Sequence, residues 1–291
     1  GQYPYSWGID PEDFTRLDRI SGGDNYSYYR PGLHREYAQG WWRQAMFYDL
    51  QRSIAPENPI FNSENHPIED ANPMWVSGDH MRTMLWQGAI HGQGASTTWV
   101  WERSHSLRQK GSLASNILTR PNCVDASGRA SLDLMRLGDE IVALQQAPAQ
   151  VGILFTSSSI PLNEQYLDES KNAYEGLYFL DTPVRFATDR TIAEGSLDEY
   201  RVLVAPGNSY IPDSTTQAVE RFVREGGTPV LAGAAATPDA SGHAPAPRDT
   251  LLPRPAHQDV TRATPKRHAL PPASAPAPRT SDHQLLRLLA D

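Results

Sequence analysis

The sequence predicts an α/β fold in two unequal parts, followed by a tail without regular structure. Two observations carry the prediction: short β-branched or apolar runs alternate with stretches of helical apolar spacing along residues 1–233, and all seven tryptophans fall in the first 148 residues, which separates a larger first region from a smaller second one. A third observation sets off residues 234–291, which hold ten of the 24 prolines together with Ala, Arg and His, and show no apolar pattern before Leu285-Leu286-Arg287-Leu288-Leu289. A segment of that composition buries too little apolar surface to offset its chain entropy, so it reads as disordered.

In the first region, residues 17–21 read as a short strand that ends at Gly22-Gly23-Asp24-Asn25-Tyr26. Residues 34–54 read as a helix, with Tyr37, Trp41, Ala45, Tyr48 and Ile54 close to the helical period. Pro56 and Pro59 punctuate the entry to a strand over residues 60–63, which ends on Glu64. A helix over residues 78–91 carries Met81, Met84, Leu85 and Ile90, and residues 95–101 form a β-branched and aromatic strand ending at Glu102-Arg103. An amphipathic helix over residues 132–146 closes the region through Leu134, Leu137, Ile141 and Leu144. The order implies successive parallel βα units, but only about three of them. A complete eight-unit barrel needs roughly 200 to 250 residues, so the region is either part of a barrel or an open sheet.

The second region alternates more regularly, with strands at residues 150–155, 184–187, 202–205 and 229–232 and helices at residues 166–180 and 214–224. Its strands are apolar runs suited to burial on both faces, which predicts a doubly wound, flavodoxin-like sheet. Gly226-Gly227 is placed to end the last helix, and Asp213 or Ser214 to cap its start.

Composition narrows the function. A chain of 291 residues with 39% hydrophobic and 21% charged residues is globular, and no apolar run approaches the roughly 18 residues of a membrane span. The net charge of -8 opposes a phosphate backbone, and no basic stripe offsets it in the first 235 residues, so neither nucleic acid nor membrane is an expected partner. One cysteine, Cys123, excludes an intrachain disulfide and a cysteine-rich zinc site without fixing the compartment; a soluble protein is expected, with the cytoplasm favoured. The first residues have no signal-peptide pattern and no initiating Met, which suggests a chain processed or cut from something longer.

Glu64 is the leading candidate for chemistry, because a carboxylate at the carboxyl end of a barrel strand sits where barrel enzymes place their reacting groups. A retaining glycosidase needs one such carboxylate as nucleophile and a second as acid/base. Tyr26, at the end of the preceding strand, would donate a hydrogen bond that holds Glu64 ionised and aimed. Trp75, Trp99 and Trp101 lie on or after the last two strands, where an indole face would stack on a sugar ring; Trp99 and Trp101 share a face if their strand is regular. Trp41 and Trp42, mid-helix, read as packing residues, and Trp7 has no interpretable context. His66, Glu69, Asp70 and His80 contain metal-ligating atoms without a ligand spacing, so neither a metal nor a cofactor is expected. Gly207-Asn208-Ser209 follows a strand but lacks a nucleotide-loop pattern, and the second region reads as a structural or assembly unit.

The run Asp18-Arg19-Ile20-Ser21 to Asp24-Asn25-Tyr26, then Pro59-Ile60-Phe61-Asn62-Ser63-Glu64, then Trp86-Gln87-Gly88-Ala89-Ile90-His91-Gly92-Gln93-Gly94-Ala95 leading to Trp99-Val100-Trp101-Glu102-Arg103, resembles the last third of the barrel in family 42 glycoside hydrolases, which are β-galactosidases. Val151-Gly152-Ile153-Leu154-Phe155, Leu197-Asp198-Glu199-Tyr200-Arg201-Val202-Leu203-Val204-Ala205-Pro206 and Phe222-Val223-Arg224-Glu225-Gly226-Gly227-Thr228 resemble that family's flavodoxin-like trimerisation domain. The resemblance spans residues 14–233. It implies the carboxyl-terminal portion of a (β/α)8 TIM barrel over residues 1–148, a trimerisation domain over residues 149–233, and a homo-oligomer, with a trimer as the expected number. It further implies retaining hydrolysis of β-galactosides or related β-glycosides, with Glu64 as nucleophile, Tyr26 orienting it, and Trp75, Trp99, Trp101, Glu102 and Asn25 around the sugar. The family's Gly-Ala-Glu-x-x-His stretch, which grips the galactose hydroxyls, is replaced by Gly111-Ser112-Leu113-Ala114-Ser115-Asn116, which has neither the Glu nor the His. The family's acid/base belongs to an Asn-Glu pair after the fourth barrel strand, and Asn163-Glu164 in the second region is the only such pair here. The expectation is therefore a carboxyl-terminal portion of a longer glycosidase, inactive alone. The competing class is a non-catalytic carbohydrate-binding or oligomerisation module.

Overall fold

A computed structural model describes residues 10–15, 17–29, 41–69, 75–102, 116–163, 165–180, 182–207 and 210–232. Trp7, Arg103, residues 111–115, Glu164, Asn208, Ser209 and the whole tail lie outside the described residues, as do the side chains of Trp41 and Trp42. Among the described residues no helix is long and apolar enough to cross a membrane.

The fold is α/β with two parallel sheets. After a short helix α1 (Pro11–Thr15), the first sheet is built from β1 (Ser21–Gly22), β2 (Asn25–Tyr26), β3 (Ile60–His66) and β4 (Gln93–Thr98). β1 and β2 pair with the same edge of β3 and act as one interrupted strand, while β4 pairs with the other edge, all in parallel. Helices α2 (Trp41–Ile54) and α3 (Gly78–Ile90) are the two crossovers. Ser77 caps α3 by accepting from the Asp79 N–H, an arrangement that satisfies one of the orphan donors at a helix start.

Several boundaries differ from the sequence reading. The first strand begins at Ser21 rather than residue 17, because Leu17 and Ile20 are exposed and pair with nothing in the sheet. β3 runs on to His66. β4 stops at Thr98, and Trp99, Val100 and Trp101 turn away with a cis Trp99–Val100 peptide. The helix expected from residue 132 starts at Pro121: α4 (Pro121–Arg136) carries Pro at its first position, where a missing N–H costs nothing, and breaks at Leu137 before α5 (Gly138–Gln145).

The second sheet has the order β6-β5-β7-β8, from β5 (Val151–Phe155), β6 (Val184–Thr188), β7 (Val202–Pro206) and β8 (Thr228–Ala232), all parallel. Alternate residues of β5 face two cores. Val151, Ile153 and Phe155 pack with Tyr166, Tyr174 and Leu177 of α7 (Tyr166–Tyr178) and with Ala45, Met46 and Leu50 of α2. Leu154 packs on the other face with Phe222 of α9 (Asp213–Arg224). At Gly152 a Cβ would meet the Tyr200 ring at 2.9 Å, so glycine there allows the close approach. α9 has Pro212 at its N-cap with no side-chain cap, against the expected Asp213 or Ser214. Its end is as expected: Gly226 is left-handed at φ +100, and the Gly226 and Gly227 N–H groups bond to Val223 and Phe222 O, which is a Schellman motif.

α2 lies between the sheets, buried from Gln44 to Gln51. A helix buried on all sides must satisfy its polar side chains internally. Asp49 does so through Tyr174 Oη at 2.6 Å and His91 Nδ1 at 2.9 Å, with Arg185 Nη1 at 3.8 Å. Gln87 donates to the Tyr178 hydroxyl at 3.0 Å beside them, so the node joins α2, the end of α3, α7 and β6.

α1 docks on the second sheet: Thr188 Oγ1 donates to Glu12 at 2.6 Å, and Arg190 reaches Glu12 O and the Asp13 carboxylate. Next to it Asp189 opens α8 (Asp189–Ala193) and accepts from Thr215 Oγ1 at 2.8 Å. Burial, outweighing that hydrogen bond, pushes the Asp189 pKa up to about 6 from an ordinary 3.8. The folded chain thus holds more protons than the unfolded chain between those values. The resulting stability is present below the ordinary pKa and is lost as the pH rises to about 6. The melting temperature of Asp189→Asn minus that of the wild type is expected to grow by a few degrees between pH 4 and pH 7.5. A difference independent of pH, measured by thermal unfolding, would contradict a buried carboxyl with a raised pKa.

Candidate active site

The register of β3 carries the central feature. Between Phe61 and Asn65 it advances four residues while β1 and β2 advance three, from Gly22 to Asn25. Against β4 it advances three residues from Asn62 to Asn65 while β4 advances two, from Ser96 to Thr98. One extra residue therefore sits in β3 near Ser63 and Glu64, seen from both neighbours, which is a β-bulge.

The bulge decides which way Glu64 faces. Ile60 and Asn62 point toward α2, since Ile60 packs with Phe47 and Tyr48, and Asn62 donates to the Tyr48 hydroxyl. Strict alternation would send Glu64 to that side as well. With one residue inserted, Asn65 takes the helix side, where it is fully buried, and Glu64 joins Phe61, Ser63 and His66 on the opposite, open face.

On that face the Glu64 carboxylate meets His66, with Oε2 to Nε2 at 3.1 Å; the Glu64 side chain is 37% exposed and that of His66 is 5% exposed. Tyr26 stacks on the His66 ring with centroids 4.3 Å apart at 24°, Trp99 lies 5.6 Å away at 37°, and Tyr28 meets it edge-on at 6.0 Å. The structure thus brings together Glu64, Tyr26 and Trp99 from three adjacent strands or their ends, around a histidine. Ser63 donates to Asp24 at 2.9 Å at the rim.

The other expected site residues are placed differently. Trp101 is 43% exposed after the turn, where its carbonyl accepts from the Leu118 N–H at 3.0 Å. It does not share a strand face with Trp99, because β4 ends first. Glu102 follows it, exposed. Trp75 is 67% exposed and meets Tyr29 edge-on at 6.4 Å. Asn25 is buried on the helix side beside Tyr48, in register with Asn65, so it supports the sheet rather than facing Glu64.

Behind the site, Tyr48 is fully buried, donates to Gln93 Oε1 at 2.7 Å and accepts from Asn62 Nδ2 at 2.8 Å; burial holds its phenol well above the ordinary range. His80 is buried with Nε2 on Pro67 O at 3.1 Å, and burial lowers its pKa to about 4, so it is neutral. Among the described residues no three His, Cys, Asp or Glu side chains gather so as to hold a metal ion.

The residue missed by the sequence reading is His66, which was weighed only as a metal ligand. Its signal was a histidine two positions from a carboxylate in an extended segment, where the two share a face if the strand continues.

The chain is 23% identical over 243 residues to the β-galactosidase Pbg of Clostridium perfringens, covering 76% of this chain and 33% of that protein. It is 25% identical over 199 residues to the β-galactosidase BgaP of a Planococcus species, covering 63% and 29%. Among solved structures it is similar to a family 42 exo-carrageenase of Bacteroides ovatus, with TM-score 0.68 and 25% identity over 81% of this chain and 34% of that one. The fold is shared with Gan42B, a family 42 β-galactosidase of G. stearothermophilus, with TM-score 0.57 and 18% identity over 81% and 36%. No family model matches the chain. The curated relatives and the solved structures bear out the resemblance to family 42 glycoside hydrolases, and the chain spans about a third of their length.

Tyr48→Phe removes a hydroxyl that serves two buried partners. Leaving Asn62 Nδ2 and Gln93 Oε1 without it is expected to destabilise the fold by about 1 to 3 kcal/mol with an unchanged denaturant slope. Urea unfolding at the wild-type midpoint would show the supporting network to be unimportant.

Proposed function

We propose that the chain is the carboxyl-terminal part of a retaining glycoside hydrolase acting on β-galactosides or related β-glycosides. Residues 1–148 would supply the end of its (β/α)8 barrel and residues 149–233 a flavodoxin-like trimerisation domain, with the homo-oligomer assembled through the latter. The single observation that carries this reading is the bulge that turns Glu64 onto the open face of a parallel sheet, beside Tyr26 and Trp99. The names of the relatives support the activity, and the second sheet's order, with helices packed on both faces, supports the doubly wound domain.

In this reading Glu64 is the nucleophile. Its free carboxylate oxygen attacks the anomeric carbon as the bond to the leaving oxygen breaks, and the electron pair departs with that oxygen. The proton for it comes from a second carboxyl group about 5 to 5.5 Å away, carried by the part of the barrel upstream of these residues. Water then attacks the anomeric carbon, giving its proton to that second carboxylate as the bond to Glu64 breaks, and the sugar leaves with its configuration retained. Tyr26 orients the nucleophile, Trp99 supplies an aromatic wall, and Trp75, Trp101 and Glu102 stand at the rim for more distant parts of the substrate.

In a protein that carries the upstream barrel, Glu64→Ala is expected to lower turnover of a dinitrophenyl β-galactoside at least about 10^4-fold, with azide restoring product of inverted configuration. The 291-residue chain alone is expected not to turn over. A Glu64→Ala protein with near wild-type activity would remove the nucleophile assignment; a wild type inert toward every aryl β-glycoside would favour a non-catalytic module.

A further inference from the structure

We infer that His66 is the positioning residue of Glu64: its Nε2–H holds one carboxylate oxygen and leaves the other for the anomeric carbon. The inference rests on the nucleophile reading of Glu64 and goes beyond it in naming the group that fixes the carboxylate and the step on which that group acts.

Three observations converge. Glu64 Oε2 and His66 Nε2 are 3.1 Å apart, within the range of an N–H···O hydrogen bond. The ring cannot drift, since Tyr26 stacks on it while Trp99 and Tyr28 pack around it, and its side chain is 5% exposed. Its Nδ1 is buried and has no hydrogen-bond partner among the described residues. A proton on Nδ1 would thus be an unsatisfied buried donor, so the arrangement assigns the neutral ring to the Nε2–H tautomer, aimed at the carboxylate. Tyr26 then orients the nucleophile through the imidazole on which it stacks.

The consequence for the reaction is directional. A donor on the carboxylate binds the anion more strongly than the ester formed when Glu64 bonds to the sugar. It therefore helps Glu64 depart as an anion when water attacks the glycosyl intermediate, and the His66 proton stays on Nε2 throughout. Release of the sugar gains more from His66 than formation of the intermediate does.

The test has two arms. In the 291-residue chain labelled with 15N-histidine, long-range proton–nitrogen correlation at alkaline pH is expected to show His66, identified by its loss in His66→Gln, as a single Nε2–H tautomer. Glu64→Ala should keep that tautomer but move the Nε2–H proton resonance upfield and speed its exchange with water, and Glu64→Gln, which keeps an acceptor, should do neither. An Nδ1–H ring, or a ring unaffected by Glu64→Ala, overturns the pairing whether or not the protein hydrolyses a glycoside. In the protein with its upstream barrel, His66→Phe is expected to lower kcat on a dinitrophenyl β-galactoside at least about tenfold, with KM falling alongside so that kcat/KM changes little. His66→Gln should recover most of the loss. A loss confined to kcat/KM, or none, overturns the role in sugar release. Failure of the glycosidase reading is distinct: the wild type is inert while the tautomer signature stands.

Discussion

The structure depends on a helix that has no outside. Residues 44–51 of α2 are buried between the two sheets, so the helix serves the back of the first sheet and one face of the second together. A helix with one apolar stripe could not do this, because its polar residues would have no water to turn to. The sequence of α2 resolves the conflict at Tyr48 and Asp49 by giving each of them partners on other elements. Tyr48 is bonded by β3 and β4, and Asp49 by α7 and the residue that follows α3. The same few residues that join the sheets also fix the helix side of β3, and through it the side on which the remaining β3 residues must emerge.

From that fixed side, the extra residue in β3 decides which side chains emerge on the open face. Sheet pairing on both edges prevents the strand from slipping, so the insertion is absorbed locally at Ser63 and Glu64. A carboxylate that alternation would have buried against Tyr48 is placed instead on the open face. The adjoining positions, His66 in β3 and Tyr26 in β2, are in direct register. Their stack is therefore set by backbone pairing rather than by side-chain preference, and this lets a short polar segment hold a defined geometry.

Much of this was legible in the sequence, and the misses share a cause. The second sheet was read within a residue or two because its strands are apolar on both faces and its last helix is ended by Gly226-Gly227. β3 was ended at Ser63 because Glu64-Asn65-His66 is polar; parallel pairing with Asn25, Tyr26 and Thr98 extends it, and no local pattern announces such pairing. Trp99-Val100-Trp101 has strand composition but leaves the sheet: the Trp99 N–H makes the last bond to β3, at Asn65 O, and Val100 and Trp101 are met instead by Ile117 and Leu118. The start of α4 was missed because residues 121–131 contain little apolar periodicity, although Pro121 itself was a usable signal. Two-sided burial of α2 was beyond a periodicity argument, which finds one face only.

The geometry around Glu64 also constrains the partner carboxyl group of the proposed reaction. One of its oxygens is engaged by His66, whose ring Tyr26 and Trp99 flank. The helix side is closed by Tyr48 and Asn65. A second carboxyl group at glycosidase distance must then approach from across the open face, opposite β3, where a closed barrel would bring its far strands. In the proposed reaction, β2, β3 and β4 would hold and aim the anion, and proton delivery would fall to the opposing wall.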